Sequence, residues 1–268
     1  MVYQDNQLIC QVCGRPFLWP GWAQEWRIAT GVPGLPARCP RCRVGAALAR
    51  LGTPTVLPAP DWEGIPMRTT TKSGIPGDPI NTALEGTRTD LLAAFARIGA
   101  RPADPLSLRD DLRLAEDAIR HGAYPAAPVS RLFLFDRVED VAVETELGSV
   151  ASRMHARFWE SGRRDVATDR AVWLGALSLD TGIKLLRRDH IPVGTTHRID
   201  PDLDAVRDLL LVILIEAGLV EAVVRRPGIG PTPDGRNGGG DPFFTDGEVV
   251  VMVLASPVVG QAPPAPTS

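Results

Sequence analysis

Between Gly194 and Leu219 the chain changes character within a few residues. His197, Arg198, Asp200, Asp202, Asp204, Arg207 and Asp208 crowd the first half, and Leu209–Ile215 is an unbroken apolar run. This pattern predicts a polar loop feeding the N-terminus of a buried helix. Asp200 is placed to cap that helix, with Pro201 at its first position, where a missing N–H is harmless. Asp202 and Asp204 then fall in the first turn, at the positive end of the helix dipole, and Gly218 is the terminator. The apolar run is far short of the ~20 residues that span a bilayer, so it reads as a core helix. The acidic residues have two readings: capping charges only, or, with His197, the mouth of a site.

Elsewhere the periodicity predicts shorter elements. Ile80–Leu84 reads as a strand. Thr87-x-x-Asp90 resembles a capping box and opens a helix carrying Leu91, Leu92, Phe95 and Ile98, ended by Gly99. Ser107-x-x-Asp110 opens a second helix, ended by Gly122. Two strand pairs follow, Arg131–Asp136 with Asp140–Glu146 and Arg153–Trp159 with Val172–Leu179. Val220–Arg225 and Glu248–Leu254 come after the central helix. Strands in runs, rather than in strict alternation with helices, predict an α+β fold with a largely antiparallel or mixed sheet and about three helices.

The proline and glycine positions divide the chain. Residues 1–49 form a small module, 50–78 a Pro/Gly-rich linker, 79–256 the main domain and 257–268 a tail without predicted structure. Trp62, Ile65, Met67 and Ile75 suggest that the second half of the linker packs on the domain. Pro227–Asp241 reads as a glycine-rich loop.

Composition adds a few constraints. The chain has 268 residues, a formal net charge of −3 and 44% hydrophobic residues, enough for one sizeable core plus a module. No secretory or membrane-spanning pattern is present, and the four cysteines fall in two C-x-x-C pairs. That usage suits metal binding in a reducing compartment, so a cytoplasmic protein is expected.

Cys10, Cys13, Cys39 and Cys42 can place four thiolates around one Zn²⁺, with 25 residues between the pairs. The module is too short to fold on an apolar core alone, so a structural metal would supply folding energy. Four cysteines close the coordination shell, which sets catalytic zinc aside. Residues 1–50 carry six arginines against Asp5 and Glu25. With zinc and four thiolates counted, the module keeps a charge of only about +2, a weak field for nucleic acid. Trp19, Trp22 and Trp26 could stack on bases or simply fill the module's core.

The four histidines are His121, His155, His190 and His197. In Arg153–Trp159, alternation puts Arg153, His155, Arg157 and Trp159 on one face and Met154, Ala156 and Phe158 on the other. A polar pocket would use His155, His190 and His197 as metal ligands or acid/base groups, with Arg157 and Arg207 clamping an anion. The competing reading has the histidines bonded to buried backbone and Arg207 paired with a nearby carboxylate. No Walker loop or nucleophile elbow is present, and no cysteine remains outside the module.

Two resemblances follow from these motifs. The CxxCG at Cys10–Gly14, Phe17, Gln24–Glu25, Gly31 and P-A-R-C-P-x-C-R at Pro36–Arg43 resemble the probable zinc-ribbon family of small bacterial proteins, which implies zinc binding. Residues about 65–255 resemble the LssY C-terminal domain family. The matching motifs are Ser73–Asn81, Tyr124–Ser130, Leu132–Glu144, His155–Trp159, Val172–Ala176, Thr196–Asp208, Gly235–Pro242 and Thr245–Gly247. In that family the domain often follows membrane modules, and the resemblance implies no assigned activity. The family commonly has paired histidines where this chain has Met154–His155 and His197–Arg198, and a glutamate where it has Val206. One histidine kept from each pair points to His155 and His197.

The resulting expectation is a zinc-binding protein whose larger domain holds a small anionic ligand through His155, Arg157, Trp159, His197, Asp204 and Arg207. A metal-dependent hydrolase of phosphate esters would instead use His155, His190, His197 and Asp204. An adaptor would contact a protein or nucleic acid through the zinc module.

Overall fold

The computed structural model describes residues 3–29, 34–52, 62–103, 132–149, 152–166, 168–188 and 191–255, with backbone alone at 29, 146–149, 152, 182–188 and 191–197. The expected second helix from Ser107, the Tyr124–Ser130 motif, His121, His190 and the 257–268 tail lie outside these residues.

The first module consists of β1 (Asn6–Ile9), β2 (Pro16–Trp19), α1 (Gly21–Ala29) and α2 (Pro40–Leu48). The main domain adds β3 (Arg68–Thr70), β4 (Pro76–Pro79), β5 (Thr82–Glu85), α3 (Arg88–Arg97) and β6 (Arg101–Pro102). Then come β7 (Phe133–Leu134), β8 (Arg137–Val138), β9 (Val141–Ser149), β10 (Ser152–Arg164), β11 (Ala171–Arg188) and β12 (Ile191–Ile199). The chain ends with α4 (Leu203–Glu216), β13 (Val220–Pro227), β14 (Thr232–Arg236), β15 (Pro242–Thr245) and β16 (Glu248–Leu254).

The main sheet runs β13-β16-β5-β11-β10-β9-β6, with β12 beside the far end of β11. Every pairing is antiparallel except β16 with β5. This is the expected α+β class with a mixed sheet. The pairing of β10 with β11 follows the predicted strands, with His155 opposite Ser178 and Arg157 opposite Ala176.

Alternation along β10 and β11 separates two cores. Met154, Ala156, Phe158, Leu177 and Leu179 join α3 and α4 on one side through Phe95, Leu91, Leu210, Leu211 and Leu214. Trp159, Val172, Leu174 and Ala176 face the other side, where Leu132, Leu134 and the partly buried Trp62, Ile65 and Met67 cover them. Each fully buried leucine of α4 contributes about 1.5–3 kcal/mol. Gly175 is required between the layers: a Cβ there would stand 2.5 Å from both the Phe158 ring and Thr82.

Several local expectations need correction. The segment before α4 is not a loop but β12, paired through Thr196 with Lys184 and His197 with Ile183. The N-cap of α4 is Asp202, not Asp200: its side chain accepts from the N–H groups of Asp204 and Ala205. Asp200 instead accepts from the Asp202 N–H, one turn earlier in the approach. Arg131–Asp136 does not pair with Asp140–Glu146. Phe135 and Asp136, both at positive φ, make a two-residue turn that folds β7 directly onto β8. Pro227–Asp241 is not wholly loop, since β14 pairs with β15. Ile75 is 51% exposed rather than packed. The Thr87–Asp90 capping box forms with both reciprocal bonds.

The first module is docked on the domain. Val44 and Ala47 of α2 join the α4-side core, with Trp22 and Trp26 packed against it.

Candidate functional sites

The four cysteines converge. Their Sγ atoms all lie within 4.8 Å of one another, and Cys13 Sγ stands 3.9 Å from Cys39 Sγ. Four sulfurs about 2.3 Å from a tetrahedral zinc would be about 3.8 Å apart, so the donor set fits such an ion. The first pair sits on a knuckle closed by Gly14, at φ +70, whose N–H donates to the Cys10 carbonyl. The second pair is on a helix start rather than a second ribbon knuckle. Cys39 is the N-cap residue of α2, Pro40 opens it, and Cys42 is in its first turn. A hairpin followed by a helix is the treble-clef form of a four-cysteine module. Gln24 ties the pieces together, donating to the Gln4 carbonyl at 2.7 Å and the Trp19 carbonyl at 3.1 Å. The thiols are unequal: a backbone bond from Cys39 pulls Cys10 down to about 6, whereas hydrogen bonding with Cys39 and burial push Cys42 up to about 12. A bound dication would let all four ionise together.

The charges at the start of α4 form a closed cluster. Arg207 is 1% exposed and has four partners. Its guanidinium donates to Asp208 at 2.9 and 3.0 Å, to Asp246 at 2.8 and 3.0 Å, to Asp204 at 3.1 Å and to the Glu248 carbonyl at 3.2 Å. Asp204 also accepts from the Thr245 hydroxyl and the Asp246 N–H, both at 2.7 Å. Burial opposes the Arg207 charge, but the bonds to Asp246 and the surrounding carboxylates outweigh it and hold its pKa above the ordinary value. The cluster ties α4 to the turn between β15 and β16. It accounts for Asp204 and Arg207 as the nearby-carboxylate reading expected.

A second buried polar group lies on the sheet face away from the helices. His155 is 5% exposed and Arg157 7%, beside Ser178 and Asp180 from β11. His155 Nε2 stands 2.8 Å from Asp180 Oδ2. Asp78 of β4 lies over the same region, also 7% exposed. Burial pushes its carboxyl up, Arg157 and a hydrogen bond with Asn237 oppose that, and Asp180 adds to it. Four ionisable side chains from three strands therefore meet away from water, where α4 contributes none of them. Trp159 shares the strand but serves the apolar end of this face, its indole donating to the Arg137 carbonyl at 3.2 Å.

The structure thus divides the predicted site residues. His155 and Arg157 meet each other's neighbours, whereas Asp204 and Arg207 form the separate cluster on α4. His197 is placed only by its backbone register, and its side chain, like His190, lies outside the described residues. Among the described residues, the cysteines are the one group of three or more His, Cys, Asp or Glu residues whose donor atoms gather closely enough for a metal ion. Sequence reasoning missed Asp78 and Asp180. Asp180 follows the alternating run Val172–Leu179, and Asp78 sits within the quoted Ser73–Asn81 motif, where Asn81 drew no role. Asn81 is a clamp: its amide bonds both the N–H and carbonyl of Leu177 at 3.0 Å.

No curated protein and no solved structure matches the chain. A family model described as a probable treble clef domain matches residues 4–48, in keeping with the module's geometry. The model of the LssY C-terminus matches residues 62–249, most of the chain, and the protein belongs to that family.

Proposed function

We propose that this protein is a zinc-stabilised cytoplasmic binding protein that holds a small anion at the His155–Arg157 face. The carrying observation is the burial of Asp78, His155, Arg157 and Asp180 on one patch of sheet. Such a group adds little stability over apolar residues of similar size, because desolvation offsets its Coulombic gain. Buried ionisable groups gathered on one patch are a recurring feature of sites that act on a ligand. The sign of the ligand follows from the pairing. Asp180 is matched by His155, and Arg157, beside Asp78, is the guanidinium of the patch, so a bound carboxylate or phosphate would be recognised there.

The zinc would be held by Cys10, Cys13, Cys39 and Cys42 and would supply folding energy, with no open position for chemistry. A metal-dependent hydrolase gains no support from Asp204, whose carboxylate already serves Arg207, Thr245 and Asp246.

The test is equilibrium binding of inorganic phosphate and a panel of small carboxylates, with zinc content measured on the same samples. One zinc per chain and a saturable anion signal that falls at least tenfold in Arg157→Lys are expected. A Lys variant that keeps its zinc and binds as well as the parent protein overturns the assignment.

A further inference from the structure

The docking of the treble clef creates a cavity that neither module has alone. It encloses about 530 Å³ between α1 and the hairpin on one side and the start of α4 on the other. That volume is in the usual range for small-molecule sites. Trp19, Trp22 and Trp26 line it from the module, and Phe244 from β15 lines it on the domain side. Asp200, Asp202 and Asp208 contribute carboxylates at the domain wall, and Asp5 and Glu25 add two from the module. Two arginines, Arg27 and Arg43, also face it. Asp208 is already paired with Arg207, and burial raises the Asp200 and Asp202 carboxyls, so the wall is acidic by its four remaining carboxyl groups against two guanidiniums without a full charge on each.

We infer that this cavity is a binding site for a small organic cation, an alkylated ammonium ligand. Tryptophan faces attract such cations more strongly than any other side-chain ring, and the attraction grows when water is excluded. The apolar shell of an alkylated ammonium suits aromatic walls, and its charge complements the carboxylates. A nucleotide would find the same rings, but its phosphates would meet the acidic wall. The local electrostatics of Asp202 point the same way. Its carboxyl is pushed up to about 6, by burial first and then by the neighbouring Asp204 and Asp200, and a cation in the cavity would relieve that repulsion.

The site depends on the metal module through position rather than through ligation. Pro40, Arg43 and Val44 of α2 belong to the cavity wall, and α2 begins at the cysteine cluster. Removal of the metal would unfold the module and take three tryptophans out of the wall.

The experiment is a tryptophan-fluorescence titration of the full-length metal-bound protein with benzyltrimethylammonium, with adenosine monophosphate as the aromatic anion in a parallel series. Saturable quenching by the ammonium alone is expected, weakened at least tenfold in the double variant Asp200→Asn, Asp202→Asn. Asparagine is as good an N-cap as aspartate, so the variant keeps the helix while losing the charge. Trp22→Phe tests the ring separately, with an expected severalfold loss. Arg157→Lys should leave the titration unchanged, which separates this site from the anion site. Equal quenching by adenosine monophosphate, absence of saturation, or an unchanged Asn double variant with native circular dichroism each overturns the inference.

Discussion

The Arg207 cluster and the His155–Arg157 patch are both buried and both rich in charge, yet they are built in opposite ways. Arg207 is surrounded by partners close in sequence or on one adjoining turn: Asp204, Asp208, Asp246 and the Glu248 carbonyl. Three carboxylates surround one guanidinium, and each contact has hydrogen-bond geometry. The other patch draws Asp78, His155, Arg157 and Asp180 from three strands, and burial pushes Asp78 toward neutrality. The first arrangement resembles a rivet, joining a helix to a turn. The second keeps charge on a sheet face where apolar residues would pack as well. Density of charge along the chain therefore marked the fastening, and the candidate ligand site is assembled from dispersed positions.

The strongest way to break that comparison is to remove the rivet. Arg207→Met should lower stability by about 3–5 kcal/mol, because it strands three carboxylates in a partly buried setting. A urea denaturation series measures this as a fall in midpoint at unchanged slope. A loss below about 1 kcal/mol would mean that the cluster is not structural, and the contrast between the two regions would fail.

A smaller effect at the other patch sharpens the contrast. Asp78→Asn keeps the shape of the side chain and removes a charge that the fold already disfavours. Near neutral pH its stability should fall by less than about 1 kcal/mol or rise, unlike the loss typical of a broken buried pair. The pH dependence gives the sign. The folded pKa of Asp78 lies above its unfolded value. Its favourable contribution is therefore fully present below the unfolded pKa and lost as pH rises through the folded pKa. The variant lacks that loss, so its melting temperature relative to the parent protein should increase from acid toward neutral pH. A variant that instead weakens steadily with rising pH would show that Asp78 is ionised and stabilising, as expected for Asp246, whose carboxyl is raised by burial but held below the ordinary value by its bond with Arg207.

How much of this was legible in the sequence follows from the range of the interactions. The Thr87–Asp90 cap, the β10–β11 pairing and the apolar second half of α4 depend on neighbours or on strict alternation, and all can be read from the sequence. The four-cysteine module was legible because zinc chemistry restricts the spacing. Its helix start was not, since Pro40 after Cys39 suits a knuckle as well as an N-terminus. β12 was hidden because Gly194–Asp200 carries loop-like composition, and only pairing with the long β11 makes it a strand. Asp78 and Asp180 were hidden for a different reason: each is a single acidic residue in its strand, and a partner 79 residues from Asp78, Arg157, gives no local signal.

The smallest predicted effect concerns the charged stretch itself, where two aspartates compete for the role of cap. Asp202 accepts from two N–H groups at the start of α4, at 3.2 and 3.0 Å, whereas Asp200 accepts from one, at 2.9 Å, before the helix begins. Asp202→Ala should therefore cost about 1 kcal/mol, the usual value of a lost N-cap, and Asp200→Ala distinctly less. Asp202→Asn separates the bond from the charge. The carboxyl of Asp202 is raised to about 6 by burial, so its ionisation is disfavoured in the folded state. Relative to the Asn variant, the parent protein should lose stability between about pH 4, the unfolded carboxyl range, and pH 6, with no further change above. Thermal melts of the three variants from pH 4 to pH 8 would show it. If Asp200→Ala proved the more damaging change, the turn before α4 would be the true cap, and the helix would begin at Pro201, as its position after Asp200 first suggests.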